Sequence, residues 1–326
     1  MALKKKPTTG MKDILPKEME IRDYVIQQIK ETYKSFGFQS IETPCVEHIE
    51  NLNSKQGGEN EKLIFKILKR GQKLKLETAE SEADLVDSGL RYDLTVPLSR
   101  YYANNANELP APFKALQMGN VWRADRPQRG RFRQFMQCDI DILGEPTYLA
   151  EIELILATTT LLGKLDFKNF TIRINNRKML KGLAKYCGFP EESYDDVFII
   201  LDKMDKIEMS GVEAELLEAG YDKEAVEKCK NLFETVTNDL DGVRYMKETL
   251  GDCLEEGVAE DLETIIQTVE KVKAADFKIA FDPTLVRGMS YYTGPIFEIA
   301  MDEFGGSVGG GVRNDELIGK FTGNET

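Results

Sequence analysis

The sequence predicts a mixed α+β fold, in which an antiparallel sheet is flanked by helices and carries a helical insertion. Three observations predict it. Alternation of apolar and polar residues at 170–174 and 277–281 indicates strands. Residues 17–36 and 147–162 have the apolar spacing of amphipathic helices. The stretch from about residue 176 to residue 275 loses strand alternation and consists of acidic helical segments.

The first elements follow from spacing and from helix-stop residues. The helix at 17–36 carries one apolar stripe, Gly37 ends it, and residues 38–43 are extended up to Pro44. A polar segment at 56–59 predicts a mobile loop, and the apolar run at 63–68 predicts a strand. The stripe consists of Ile21, Val25, Ile29, Tyr33 and Phe36.

The middle of the chain predicts a basic hairpin. Five arginines lie between Arg123 and Arg133, although the chain has a net charge of -13. Pro127 and Gly130 indicate a turn, with strands at 113–122 and 132–143 on either side. Guanidinium groups bind phosphate through two parallel hydrogen bonds, so the hairpin points to an anion. A solvated basic loop is the alternative.

The later elements complete the domain organisation. Thr147 is the predicted N-cap of the second helix. We predict a first part of the core at 1–175, a helical insertion subdomain at 176–275 and a second part of the core at 276–326. The chain has neither a GxGxxG fingerprint nor a Walker A lysine pattern, so arginines on a sheet would have to hold a nucleotide.

Composition excludes several classes of protein. The chain lacks a run of eighteen apolar residues and the apolar centre of a signal peptide, so we expect no membrane association. Five scattered cysteines without a CxxC pair indicate reduced thiols in the cytoplasm and argue against structural zinc. The single histidine, His48, is expected on the surface, and we predict no metal site. The acidic balance argues against generic nucleic-acid binding.

Four ordered segments resemble the histidyl-tRNA synthetase family of class II aminoacyl-tRNA synthetases. The sequence from Arg123-Ala124-Asp125 through RPQRGRFRQFMQCDID resembles motif 2. RYDLTVPLSRYYANN at 91–105, LVRGMSYYTGPIFE at 285–298 and GGGVRNDELIGKF at 309–321 resemble further segments of that family. The first helix and strand resemble motif 1, which forms the dimer interface. The likeness runs from about Lys6 to the last residue.

The resemblance implies an activity. The chain would activate L-histidine with ATP to histidyl-adenylate and transfer the histidyl group to the 3′ end of tRNA(His). It would bind ATP with Mg²⁺ as substrate and no tightly bound cofactor. A cytoplasmic homodimer is implied, and the helical insertion would lie near the acceptor end of the tRNA.

The resemblance also assigns residues. Arg123 and Arg287 would be catalytic and flank the α-phosphate of ATP. Asp93 and Thr95 with Gln137 would hold the α-ammonium group of histidine. The ATP-binding set is Arg123, Asp125, Arg131 and Phe132. The histidine-binding set is Asp93, Leu94, Thr95, Arg123, Gln137, Asp141, Arg287, Tyr291 and Tyr292, of which Asp141 and the two tyrosines would read the imidazole. Core packing is the alternative for those tyrosines.

Three positions and the end of the chain depart from the family pattern. Val312 replaces a glycine, Asn314 replaces a tyrosine, and Ser290 stands where an acidic residue is common. With the strand in the family's register, we expect Val312 and Asn314 to crowd the pocket or to remove a ligand contact. The chain stops at Thr326, before motif 3 and the anticodon-binding domain. The resemblance therefore implies a catalytic-core fragment with weak ATP binding and poor aminoacylation.

Two other classes remain open from sequence. One is a non-catalytic regulatory paralogue that serves the ATP phosphoribosyltransferase of histidine biosynthesis, and the other is an RNA-binding module without catalysis. An intact motif 2 favours the enzyme over the regulatory paralogue.

Overall fold

The computed structural model describes residues 3–53, 61–128, 130–287, 292–304 and 306–322. The chain divides into two compact units. The first consists of Met1–Glu145 and Leu317–Thr326, and the second of Pro146–Glu316. The predicted loop at 56–59 lies outside the described residues.

The first unit begins with helix α1, Pro16–Ser35. Gly37 has a φ of +86°, and its N–H donates to the Lys34 carbonyl, so the predicted helix stop is confirmed. The prediction of one buried stripe is wrong at the start of the helix, where Ile21 is 64% exposed. Ile29 and Tyr33, in the C-terminal half of the helix, are buried as predicted.

Two three-stranded sheets and short helices follow in the first unit. The elements are β1 Gln39–Ser40, β2 Val46–His48, β3 Lys66–Leu68, α2 Glu82–Leu85, β4 Val86–Leu90, α3 Thr95–Asn105, β5 Phe113–Trp122 and β6 Gln134–Leu143, with a one-turn helix at Gly319–Thr322. Strand β5 pairs antiparallel with β6 and parallel with β1, while β4 pairs antiparallel with β2 and β3. The core beside the sheet of β5 includes Leu98, Phe113 and Leu143, and Ile318 of the returning segment packs against it.

The second unit is built on a four-stranded sheet. Its strands are β7 Phe170–Asn176, β8 Phe277–Phe281, β9 Pro295–Met301 and β10 Gly306–Val312. They lie side by side in the order β10-β9-β7-β8. Phe170, Ile172 and Ile174 are fully buried, which confirms the predicted alternation. The edge strand β8 runs parallel to β7, so the sheet is mixed rather than wholly antiparallel.

Seven helices of this unit are described, and six of them lie between β7 and β8. They are α4 Leu149–Lys164, α5 Arg177–Cys187, α6 Tyr194–Leu201, α7 Met204–Glu218, α8 Lys223–Thr235, α9 Leu240–Leu250 and α10 Val258–Val272. The prediction of Thr147 as the N-cap is one residue early. Tyr148 occupies that position, while the Thr147 hydroxyl accepts only a long bond, 3.4 Å, from the Leu149 N–H.

The inserted helices share one hydrophobic core with the sheet. Boundaries of a separate subdomain at 175 and 275 therefore stay a prediction. Asp239 caps α9 by accepting the Gly242 N–H. A hydrogen bond from the Thr237 hydroxyl, and next the Gly242 N–H, lower the pKa of Asp239 below its usual value. Among the described residues, no helix combines the length and apolar character needed to cross a membrane.

Candidate active site

The predicted basic hairpin is present in the first unit. The Arg123 N–H donates to the Arg133 carbonyl at 2.9 Å, which continues the pairing of β5 and β6. At the tip, the Arg131 N–H donates to the Gln128 carbonyl at 2.9 Å, and Gly130 has a φ of +77°. Strand β5 matches its predicted bounds, whereas β6 begins two residues later than predicted because Phe132 and Arg133 belong to the loop.

Arg123 is held between two aromatic rings. Its guanidinium carbon lies 4.4 Å from the centre of the Tyr92 ring and 5.1 Å from that of Phe135. Its Nε donates to the Tyr92 carbonyl at 3.2 Å. Stacking fixes the plane of a guanidinium and leaves its outer N–H groups to bind an anion. The side chain is thus oriented before any ligand arrives.

The other predicted ATP-binding residues lie toward the tip of the hairpin. Arg131 and Asp125 form a loose ion pair at 3.9 Å, and the Arg131 side chain is 58% exposed. An exposed pair of this length contributes little stability, so Arg131 can exchange its carboxylate for a phosphate at small cost. Phe132 is 38% exposed and offers a ring face to a base.

The segment that contains the predicted ammonium ligands is fastened to strand β5. The Trp122 N–H donates to the Arg91 carbonyl at 3.0 Å, and Gln117 Nε2 donates to the Leu94 carbonyl at 3.2 Å. Asp93 is buried, and its Oδ1 accepts the Val96 N–H at 3.1 Å, so this carboxylate also begins helix α3. Thr95 is the first residue of α3 and is half-buried.

Arg91 crosses the same strand and was not predicted as a site residue. It is 5% exposed, and its guanidinium donates to the Asn120 carbonyl at 2.8 Å and to the carbonyl and hydroxyl of Thr43 at 2.8 and 3.3 Å. A Cβ on Gly119 would lie 2.1 Å from Arg91 Nη2. The glycine therefore makes room for the arginine.

One face of the hairpin gathers polar side chains. Gln137 pairs with Gly119, and Asp141 pairs with Ala115, so the two predicted ligands project from the same side of the sheet. Asp139, paired with Gln117, lies between them on that face, although the sequence analysis did not single it out. The period of two along β6 was the signal that would have identified it.

Gln137 carries an unsatisfied acceptor. Its Oε1 is buried and accepts no hydrogen bond from the described residues. A buried amide oxygen without a donor costs about 1–3 kcal/mol. A ligand ammonium or N–H group at this position would supply that donor.

The second unit contains the remaining predicted residues. Arg287 forms an ion pair with the carboxylate of Glu298, which is buried on β9. Burial raises the pKa of the nearby Asp202, and the charge of Arg287 opposes that rise. Tyr292 is half-buried, and Tyr291 lies outside the described residues. Because Arg123 and Arg287 belong to different compact units, their joint action on one phosphate stays a prediction.

The departures from the family pattern have different surroundings. Val312 is 39% exposed at the end of β10, so within its own unit its side chain does not fill a closed space. Asn314 Oδ1 is buried and has no hydrogen-bond partner among the described residues. Ser290 lies outside the described residues. A missing tyrosine contact therefore remains a prediction for Asn314.

Comparisons with known proteins agree with this fold and hairpin. The family model described as histidyl-tRNA synthetase matches residues 10–326. A histidine–tRNA ligase of Leifsonia xyli subsp. xyli is 44% identical over 98% of this chain and 76% of its own length. Another, from Christiangramia forsetii, is 40% identical over 98% of this chain and 73% of its own length.

Solved structures give the same result. The crystal structure of histidyl-tRNA synthetase from Nostoc sp. PCC 7120 matches with a TM-score of 0.82 and 30% identity, over 99% of this chain and 72% of that one. A Bacillus halodurans structure described as an ATP phosphoribosyltransferase regulatory subunit/histidyl-tRNA synthetase also gives 0.82, over 98% of this chain and 79% of that one. At 21% identity it shows the fold alone.

The mixed sheets and the arginine hairpin define a class II aminoacyl-tRNA synthetase core. Within that class, the chain belongs to the histidyl-tRNA synthetase family.

Proposed function

We propose that the chain activates L-histidine with ATP and transfers the histidyl group to the 3′ end of tRNA(His). The observation that carries this proposal is Arg123, preoriented between Tyr92 and Phe135 above a face that also carries Gln137 and Asp141. Membership of the family implies histidine, ATP and tRNA as substrates.

The first reaction needs positive charge more than it needs a base. A carboxylate oxygen of histidine attacks the α-phosphorus, the bond to the bridging oxygen breaks, and pyrophosphate leaves. Negative charge accumulates on the α-phosphate in the transition state, where Arg123 and Arg287 would stabilise it. Mg²⁺ would arrive as part of the nucleotide substrate, bound to its phosphates.

The substrate amino acid would be read by oxygen atoms on two elements. Asp93 and Thr95 at the start of α3, with the open acceptor of Gln137, would bind the α-ammonium group. Asp141 on the same face, together with Tyr291 and Tyr292, would bind the two edges of the imidazole. In the second reaction the terminal ribose hydroxyl attacks the carbonyl carbon and AMP leaves. A phosphate oxygen of the adenylate would accept the proton.

Oligomeric state and location are part of the same proposal. The N-terminal half of α1 presents Ile21 and Tyr24, 64% and 54% exposed, and we propose that this face is the contact of a homodimer. Light scattering of the chain and of the double variant Ile21→Lys, Tyr24→Lys tests it, because a dimer that persists in the variant contradicts it. All five cysteines are free thiols, in keeping with the cytoplasm.

The test is ATP–pyrophosphate exchange, with histidine and then each other amino acid as substrate. Exchange that depends on histidine alone supports the proposal. Binding of histidine without exchange, in this chain and in a longer version carrying the segment that follows in its relatives, would favour the regulatory paralogue. An Arg123→Met variant that exchanges as fast as the parent would contradict the role assigned to the hairpin.

A further inference from the structure

Arg177 contacts the chain on both sides of the segment that resembles the histidine-specific motif. Its backbone N–H donates to the Gly294 carbonyl at 2.8 Å. Its guanidinium Nη1 donates to the Arg287 carbonyl at 3.1 Å. A single residue thus bonds to residues seven apart in sequence, at the two ends of the motif.

The guanidinium is locked in place from other directions. It is 1% exposed, and its Nη2 donates to the Asp195 carboxylate at 2.6 Å. Its central carbon lies 4.2 Å above the ring of Phe198, a cation–π distance. We call the Arg177 side chain, with its contacts to Arg287, Asp195 and Phe198, the clamp. Asp195 and Phe198 both belong to α6, so the clamp is anchored to a helix rather than to a loop.

The buried charge of the Arg177 guanidinium destabilises the fold unless its contacts compensate for the lost hydration. Burial lowers the pKa of Arg177, while the charge and the hydrogen bond of Asp195 oppose that change. Its Nε is buried and donates to no acceptor among the described residues. Removing a guanidinium from water for packing alone is unfavourable, and an aliphatic side chain would fill the same volume more favourably. An aliphatic residue could make neither the ion pair with Asp195 nor the bond to the Arg287 carbonyl, and of these two only the second reaches the motif.

We infer that Arg177 is a positioning residue for the amino-acid site: its side chain fixes the backbone at Arg287, and through it the Arg287 side chain, while its backbone N–H holds the other end of the motif at Gly294. This inference rests on the proposed function. The hairpin that would bind ATP is part of the other compact unit, and Arg177 makes none of the hairpin's own hydrogen bonds. Because Arg287 would also act on the α-phosphate, loss of the clamp should raise KM for histidine and lower kcat. KM for ATP, which the hairpin would set, should stay unchanged.

The test compares Arg177→Met and Arg177→Lys with Leu216→Ala. Leu216 is fully buried on α7 in the same unit, so its truncation lowers stability without touching the clamp. In pyrophosphate exchange, Arg177→Met should raise KM for histidine about tenfold, the size of one charged hydrogen bond, with KM for ATP within about twofold. Arg177→Lys keeps the charge but not the fork, and should fall between parent and Arg177→Met.

Hydrogen–deuterium exchange of peptides covering 285–287 supplies a second readout that needs no catalysis, because the Arg177 side chain bonds to the Arg287 carbonyl. Arg177→Met should speed exchange there, and Leu216→Ala should not. An unchanged KM for histidine together with unchanged exchange at 285–287 would overturn the inference. So would equal effects in the Leu216→Ala control. If both the parent chain and the longer version lack histidine-dependent activity, the proposed function fails, and the deuterium experiment alone then decides whether Arg177 holds this backbone.

Discussion

Gly119→Ala should destabilise the first unit, although alanine in the interior of a strand is ordinarily preferred to glycine by about 0.5–1 kcal/mol. The new methyl carbon would lie 2.1 Å from Arg91 Nη2 and 3.2 Å from the guanidinium carbon. Ordinary contact at about 3.5 Å requires the buried guanidinium to move by roughly 1.5 Å. That movement breaks one or two of its bonds to Thr43 and Asn120, each worth about 1.5–3 kcal/mol for a charged donor.

The expected loss is therefore about 2–4 kcal/mol in the free energy of unfolding. Urea denaturation followed by fluorescence measures it locally, because Trp122 is the only tryptophan of the chain and its backbone N–H donates to the Arg91 carbonyl. In an Arg91→Ala background the clash disappears, and Gly119→Ala should become nearly neutral. A loss of the same size in both backgrounds, or none in the parent, would refute the reasoning.

Three further predictions concern charge. Arg123→Lys keeps the positive charge but loses the stacked plane, and should lower kcat of pyrophosphate exchange about 100-fold, whereas an effect within twofold would contradict the role of orientation. Glu151→Gln removes the carboxylate from the buried pair with Arg313, and should lower the unfolding free energy by about 3 kcal/mol in urea. Asp239 has a lowered pKa, so its stabilisation is complete above the unfolded pKa of 3.8 and is lost as pH falls through the folded value. Asp239→Asn should flatten that acid dependence in thermal melts, and an unaltered slope would argue against the cap.

Local patterns predicted the hairpin well. Strand β5 was predicted at both ends, and Gly130 marked the turn. Gln137 and Asp141 were assigned to the histidine site by resemblance, and the period of two along β6 puts both on one face. Asp139 was missed although the same period of two places it between them on that face.

Long-range features could not be predicted in the same way. The parallel pairing of β8 with β7 joins strands separated by six helices, and no local spacing encodes it. The role of Arg91 depends on a glycine 28 positions later, whose missing side chain is visible only as a gap in a strand. Ile21 fits a buried stripe by spacing, yet spacing does not say how far the core extends.

The fork of Arg313 has a consequence for how the chain folds. It bonds to both carboxylate oxygens of Glu151, at 2.6 and 2.7 Å, and to the Thr147 carbonyl at 2.8 Å. These residues lie near the two ends of the second unit, whose chain leaves the first unit after Glu145 and returns to it at Leu317. The Arg313 guanidinium therefore joins the two ends of the second unit.

Closing a free loop of roughly 170 residues costs about 3 kcal/mol more entropy than closing one of about five. If the second unit folds first, its two ends are already joined. Ile318 then has to pack against the core around Leu98 across an effective loop of only a few residues. The segment from Leu317 onward then joins the first unit with little loss of conformational entropy. Opening the fork would lengthen that loop again, so a substitution confined to the second unit would slow the completion of the first.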